Sequence, residues 1–422
     1  MASNDINLKK IQKLVKSGEM SVNAVFACEK YSEYAIINSD EKLIDLLLKK
    51  KVNLNHTTKF LLTALHAAIK EQKLDVVKKL ITSRAEINLT RPHYPLFPPL
   101  HLAIYCRNYD ITEFLVMSGA NVNADISPTT FNNNNAIIHE GSDEVYSSIH
   151  LAATTNDSIS GVEILQILEK YGAKFEVIKD QEYTLEFKAV MRYDNVDILK
   201  LFSKNYDNFL GISDLHGDTV AHLAVRFSYI NILQYLLNFG TNINVINDRN
   251  SSLLDIAMKI NIDLTLKNLI VDDSLAIIKL IENHILKLSV AGIFVSKKNL
   301  RAVDGDFFKS FHEKCKKEIS ELKSKRMSKT NFNYYSVLEK TLHGLAVGFT
   351  HLDDCFDEAE IFLEFPLYGK IIVQKLRRAF ERKELVKNAE KLYDIFYMEL
   401  PDLVIRNIFN HLSNVDLRLL SQ

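Results

Sequence analysis

Four histidines, His66, His101, His150 and His222, are the residues whose type and spacing first suggest chemistry. Imidazoles that recur in one local context can bind a metal or move protons. Each stands at the same place in a short motif: Thr63-Ala-Leu-His-Ala-Ala68, Pro98-Pro-Leu-His-Leu-Ala103, Ser147-Ser-Ile-His-Leu-Ala152 and Thr219-Val-Ala-His-Leu-Ala224. The His-to-His steps are 35, 49 and 72 residues. A whole structural repeat would separate neighbouring rings by about 10 Å, too far for two nitrogens to share one ion. The expected role is therefore structural, with no metal and no cofactor.

Other reactive groups give no stronger signal. His312, Cys315, His351 and Cys355 imitate a zinc quartet, but their spacing matches no common finger, and Cys315 falls on an apolar stripe with Phe307, Phe308 and Phe311. Asp353, Asp354, Glu358 and Glu360 read as helix surface. The chain contains no Gly-rich phosphate loop, no G-x-S-x-G and no H-E-x-x-H. The expectation is a protein without catalytic activity.

The bulk properties agree. Its 422 residues exceed one ordinary core, so several domains or a repeat array are expected. The net charge of −1 argues against a general polyanion binder such as a nucleic-acid protein. The basic run from Lys314 to Lys329 is interleaved with Glu313, Glu318 and Glu321 and reads as a solvated helix. Four scattered cysteines fit reduced thiols in the cytosol or nucleus. The start, MASNDINLKK, lacks a signal-peptide pattern, and no run of about 18 apolar residues suggests a membrane span.

The elements that must position the histidines are helices. Gly and Pro are scarce, 13 and 7, and apolar residues recur at three- and four-residue steps. After each His motif comes a polar turn and a second apolar helix: Asp75 to Ile81, Asp110 to Val116, Val162 to Leu168 and Ile230 to Leu237. Three copies then close on Gly119, Gly172 and Gly240. Glycine after a helix takes the left-handed conformation that side chains resist. The 72-residue step hides a further copy, Leu185 to Val190 with Lys188 in the His position, followed by Asn195 to Leu199. The 49-residue step needs an insertion, and Asp125 to Val145 supplies it. Ser251 to Ala257 keeps the pattern with Asp255 in place of His.

These residues resemble the ankyrin repeat family over roughly residues 20 to 270, in about seven units with degenerate ends. The resemblance implies an α-helical solenoid that binds protein partners through its loop tips and inner helices. It also implies that the motif Thr caps the first helix and that the His links neighbouring loops.

Past Val271 helical periodicity continues without the motif, with Leu275, Ile278, Ile281, Ile285 and Leu288 in one stripe. The chain then ends with Leu400-Pro401, followed by Val404, Ile405, Ile408, Phe409 and Leu412 on one apolar face and Asp416-Leu417 beyond it. This segment resembles the start of an F-box. Ankyrin repeats with a truncated C-terminal F-box resemble the PRANC proteins of poxviruses, parasitoid wasps and some intracellular bacteria. That resemblance implies docking on a Skp-family adaptor of a cullin–RING ubiquitin ligase through Leu400, Pro401, Ile405, Ile408, Leu412 and Leu417.

The resulting expectation is an all-α chain: an ankyrin domain over 1–270, a helical region over 271–395 and a truncated F-box-like end over 396–422. It would act as a substrate receptor in the cytosol or nucleus of a host cell, holding an unidentified target. The alternative is a plain ankyrin scaffold or competitive inhibitor with no ligase link.

Overall fold

The structure, a computed structural model, describes residues 63–89, 98–126, 146–154, 160–174, 194–205, 209–267, 269, 272–327, 330, 332–348 and 356–389. It also describes single positions at 13, 44, 45, 48, 49, 54, 55, 411, 412, 414, 416 and 417. The chain divides into two compact units, Met1–Asp180 and Gln181–Gln422.

In the first unit three helix pairs stack: α1 (Ala64–Lys70) with α2 (Leu74–Thr82), α3 (Pro99–Tyr105) with α4 (Tyr109–Met117), and α5 (Ser148–Thr154) with α6 (Ser160–Lys170). First helices pack on first helices, α1 on α3 and α3 on α5, and second helices likewise, α2 on α4 and α4 on α6. The stack follows from the apolar steps: Leu65, Ala68 and Ile69 of α1 and Val77 and Leu80 of α2 are buried, as are Leu100, Ala103, Ile104, Ile111 and Leu115 in the next pair. No single pair could hide these faces alone, so burial comes from the neighbouring repeats.

The turns recur as the helices do. Within a pair, Gln72 and Arg107 take left-handed conformations, with φ of 56° and 57°. Between pairs the left-handed residue is Arg84, then Gly119 and Gly172. Arg84 carries a side chain where the other copies use glycine, at φ 70°. A Cβ there costs about 1 kcal/mol. Arg84→Gly is expected to raise stability by roughly 0.5–1 kcal/mol, read as a higher urea midpoint.

The insertion after Asp125 is bracketed by a two-stranded antiparallel ladder, β1 (Asp125–Ile126) against β2 (Tyr146–Ser147). The inserted chain leaves and re-enters side by side, so its extended backbone groups satisfy each other. Two isolated antiparallel bridges, Ser213 with Thr219 and Arg326 with Asn333, are the other extended pairings among the described residues.

The second unit begins with α7 (Val196–Asn205), the second helix of the hidden repeat. Its expected partner over 185–190 lies outside the described residues. Then follow α8 (Val220–Arg226) with α9 (Ile230–Phe239), and α10 (Leu253–Leu266) with α11 (Asp272–Val290). The repeat turns recur here too, with Ser228, Gly240 and Gly292 at positive φ. The expected domain boundary at 270 falls between α10 and α11, which pack together as a pair.

Beyond that pair stand α12 (Lys297–Ala302), α13 (Lys309–Ser324), α14 (Tyr334–Glu339), α15 (Leu342–Gly348), α16 (Glu358–Glu364) and α17 (Gly369–Ala389). The 21-residue α17 is their hub and packs on α14, α15 and α16. The core gathers Cys315, Ile319, Leu322, Val337, Leu345 and Phe365 around Ile372 and Leu376. Two stripe residues named from the sequence, Leu275 and Phe307, are exposed. On α11 the buried line runs through Ser274, Ile277, Ile281 and Ile285 instead.

Glu318 departs most from its expected place on a solvated face. It is buried, and its carboxylate accepts from Leu367 N (3.0 Å) and Tyr368 N (2.7 Å), the amides that open α17. Burial pushes its carboxyl up, partly offset by these two bonds and by Lys287. The neighbours Lys316 and Lys317 stay on the surface, paired with Glu313 and Glu321. Glu318→Ala would orphan the buried Tyr368 amide and the part-buried Leu367 amide at a helix N-terminus and is expected to cost about 2 kcal/mol in chemical denaturation.

Candidate interaction surface

Three of the repeat histidines, His66, His101 and His222, are buried. His66 is buried, and its Nδ1 lies 2.6 Å from Thr63 Oγ1 at the N-cap of α1. At α8 the arrangement is fuller: Thr219 N donates to His222 Nδ1 (3.1 Å), and Thr219 Oγ1 lies 2.9 Å from the same atom. A ring nitrogen that accepts from an amide carries no proton, so the proton of neutral His222 is on Nε2. Pro98 replaces the cap hydroxyl before His101, whose ring nitrogens bond to no described side chain. The backbone of the next turn is the group that meets each ring, at Ala124 for His101 and at Ser251 for His222. Burial pushes His101 down to about 4 and lowers His222 as well. His150 lies on α5, and its side chain is outside the described ones.

Asp255 shows that the cap, not the imidazole, is what this position needs. Its carboxylate accepts from Ser252 N and Ser252 Oγ, both at 2.7 Å, and its own N–H points back to Ser252 Oγ at 3.3 Å. That is a capping box with Asp in the role of His. Lys298 Nζ then pairs with the same carboxylate at 2.6 Å.

A second set of links was missed from the sequence. Asn88 accepts from Asn121 N (2.8 Å) and donates to Gly119 O (3.2 Å). Asn123 accepts from Lys174 N (2.8 Å) and donates to Gly172 O (3.1 Å). In the second unit Asn244 accepts from Ser296 N (2.7 Å) and donates to Phe294 O (3.0 Å). Each amide clamps one carbonyl and one N–H of the next turn. The signal was available: each of these residues stands four positions after a left-handed residue, Arg84, Gly119 or Gly240. The Asn244 clamp carries the repeat pattern to Ser296, well past 270.

The loop tips are therefore rigid. In the second unit Asp214 Oδ1 accepts from His216 N and Asp218 N, both at 2.8 Å. Buried Asp218 pairs with Arg226 and accepts from Asn247 Nδ2 at 2.7 Å. Asp248 N donates to His216 O at 3.0 Å and ties neighbouring tips together. Gly217, at φ +70°, has the backbone N of Asp248 2.9 Å from where a Cβ would stand, so a side chain there would strain the turn and push on its neighbour. On this frame Leu215 is 65% exposed and Ile246 49%. Two apolar side chains held out on fixed neighbouring tips, with His216 and Arg249 exposed beside them, form a surface suited to a protein partner.

The remaining candidates separate. Cys315 is fully buried in the core, while His351 and Cys355 lie outside the described residues. Glu358 makes a bidentate pair with Arg377, at 2.7 and 2.5 Å, as helix-surface pairing. Of the C-terminal residues, Leu400, Pro401, Ile405 and Ile408 lie outside the described residues. Leu412 is half-buried and Leu417 fully buried. Arg382 of α17 holds this end, donating to Leu412 O (2.9 Å) and Asn414 Oδ1 (3.0 Å). Among the described residues no helix is long and apolar enough to cross a membrane.

Comparison with known proteins agrees with the helix pairs. Residues 32–126 and 149–247 match a family model described as ankyrin repeats, in three copies. The ankyrin repeat domain of Bcl-3, a member of the IkappaB family, is similar at 18% identity and a TM-score of 0.40, covering 53% of this chain and 92% of that one. The human ASB11 ankyrin repeat domain is similar at 22% identity and a TM-score of 0.38, covering 53% and 90%. A predatory endopeptidase from Bdellovibrio bacteriovorus, Bd0816, in complex with the immunity protein Bd3460, gives a match at 17% identity and a TM-score of 0.31, covering 59% and 96%. No curated protein matches the chain.

Proposed function

We propose that the chain is a substrate receptor: its ankyrin repeats hold a target protein, and its C-terminal end recruits a Skp-family adaptor of a cullin–RING ubiquitin ligase. Ankyrin repeats bind protein partners, and the fixed tips bearing Leu215 and Ile246 support that half of the reading. The other half rests on the sequence from Leu400-Pro401 through Ile405, Ile408 and Leu412 to Leu417, placed after a repeat array. The chain itself would supply proximity rather than a reacting group. It would raise the effective concentration of target lysines near the charged enzyme. Such a receptor would act where the adaptor is found, in the cytosol or nucleus of a host cell.

A second reading is favoured by one observation. Burial of Leu417 and the grip of Arg382 on Leu412 and Asn414 fit a terminal helical cap on a scaffold or competitive inhibitor. Adaptor binding separates the two. The ligase-receptor reading expects the full chain to retain a purified Skp adaptor at micromolar concentration. It expects Ile408→Asp with Leu412→Asp to abolish retention without loss of helical circular dichroism, each lost side chain accounting for about 1.5–3 kcal/mol at most. No retention by the unaltered chain leaves the scaffold reading.

A further inference from the structure

In the second unit a cavity of about 220 Å³ lies among α9, α11, α13 and the turn before α17. Gln234, Asn238, Asn283, His284 and Lys287 give its polar wall, and leucines with Phe311 give the rest. Most of the lining is half-buried, so the cavity reaches the surface. At roughly 30 Å³ for each water of the liquid, it has room for a small organic group.

Two of the polar residues have no partner for their side chains among the described residues. His284 is only 5% exposed, and its ring makes no hydrogen bond to any described residue. Lys287, one turn on, is half-buried and makes no ion pair with any described residue. Glu318 is near enough to be felt by Lys287, but its carboxylate is committed to Leu367 N and Tyr368 N, and Lys370 adds further positive charge. Both side chains line the cavity, where a ligand or a water can partner them. An ammonium and an imidazole N–H offer only donors to such a ligand, and the flanking amides can add more.

We propose that this cavity is a carboxylate site, in which Lys287 neutralises the anion, His284 donates to it, and Asn283, Gln234 and Asn238 complete its hydrogen bonds. A carboxylate presents only acceptors to the ammonium and the imidazole N–H, whereas a neutral amide brings donors of its own. Its four-carbon-or-shorter stem would lie against the leucines and Phe311. The source of the carboxylate is a free organic acid or a glutamate side chain of a bound peptide. Neither the repeat tips nor the C-terminal end is involved.

The test uses the full chain labelled at histidine, with the His284 ring signals assigned by their loss in His284→Gln. Glutarate, a blocked tripeptide with a central glutamate and the neutral control glutaramide are titrated in turn. The expected result is a saturable shift of the His284 signals with one or both carboxylates, with Kd near or below about 1 mM, and none with glutaramide. Saturation by glutarate alone marks a free acid as the source, and by the peptide alone a protein segment. Lys287→Met is expected to weaken binding at least tenfold. Asn283→Asp, which brings its own carboxylate to the cavity, is expected to abolish it and serves if Lys287→Met does not fold. No saturable shift up to about 20 mM, or an equal shift with glutaramide, overturns the proposal.

Discussion

Leu100→Ala and Leu223→Ala are each expected to remove roughly 2–5 kcal/mol of stability. Leu100 is 1% exposed on α3 in the first unit, and Leu223 is 3% exposed on α8 in the second. Leu100 precedes its motif histidine and Leu223 follows its own, so they lie on different faces of the first helix, and both are buried. Truncation loses the transfer free energy of the isobutyl group and leaves a cavity that rigid neighbours fill poorly. Both leucines sit on seven-residue helices that a left-handed residue follows, Arg107 after α3 and Ser228 after α8, which limits collapse. Urea denaturation followed by circular dichroism measures the loss. A change below about 0.5 kcal/mol at either site would place that leucine outside the repeat core.

What could be read from the sequence depended on how local each device is. The helix pairs, the glycine turns and the cap before His66 are written within a few residues of each other, so the motif shows them directly. Asp255 was recognised by position, and its capping role needs only Ser252 three residues before it. The asparagine clamps span 31 to 52 residues, and a single Asn beside a turn looks like any other turn residue. The inward turn of Glu318 had no signal at all, because its partners lie about 50 residues further on. The cavity around His284 and Lys287 is hidden for the same reason: it joins α9, α11 and α13, which meet only in the folded chain. Periodicity placed α11 correctly but misjudged its edge, since a stripe read as Leu275 to Leu288 leaves Leu275 in solvent.

Acid is expected to weaken the fold well before ordinary carboxylates titrate. Burial pushes His101 down to about 4 and His284 to about 3, against an ordinary value of 6.5. Desolvation is the main cause in both, and Lys287 adds to it at His284. The unfolded chain binds these protons below pH 6.5 while the folded chain refuses them, so stability falls with pH from there. The contribution is complete above 6.5 and is exhausted once pH drops below the folded values. At pH 5 each histidine is expected to cost about 2 kcal/mol relative to pH 7.5. Glu318 and Glu282 act in the opposite sense, since burial raises both, but mostly closer to pH 4.5. Urea denaturation of the full chain at pH 7.5 and 5.0 measures the sum. His101→Asn, which cannot titrate, should be less stable at pH 7.5 yet lose about 2 kcal/mol less than the unaltered chain on going to pH 5.0. An equal loss in both would mean that His101 takes its proton in the folded state, and that its ring is far better solvated than its burial in α3 implies.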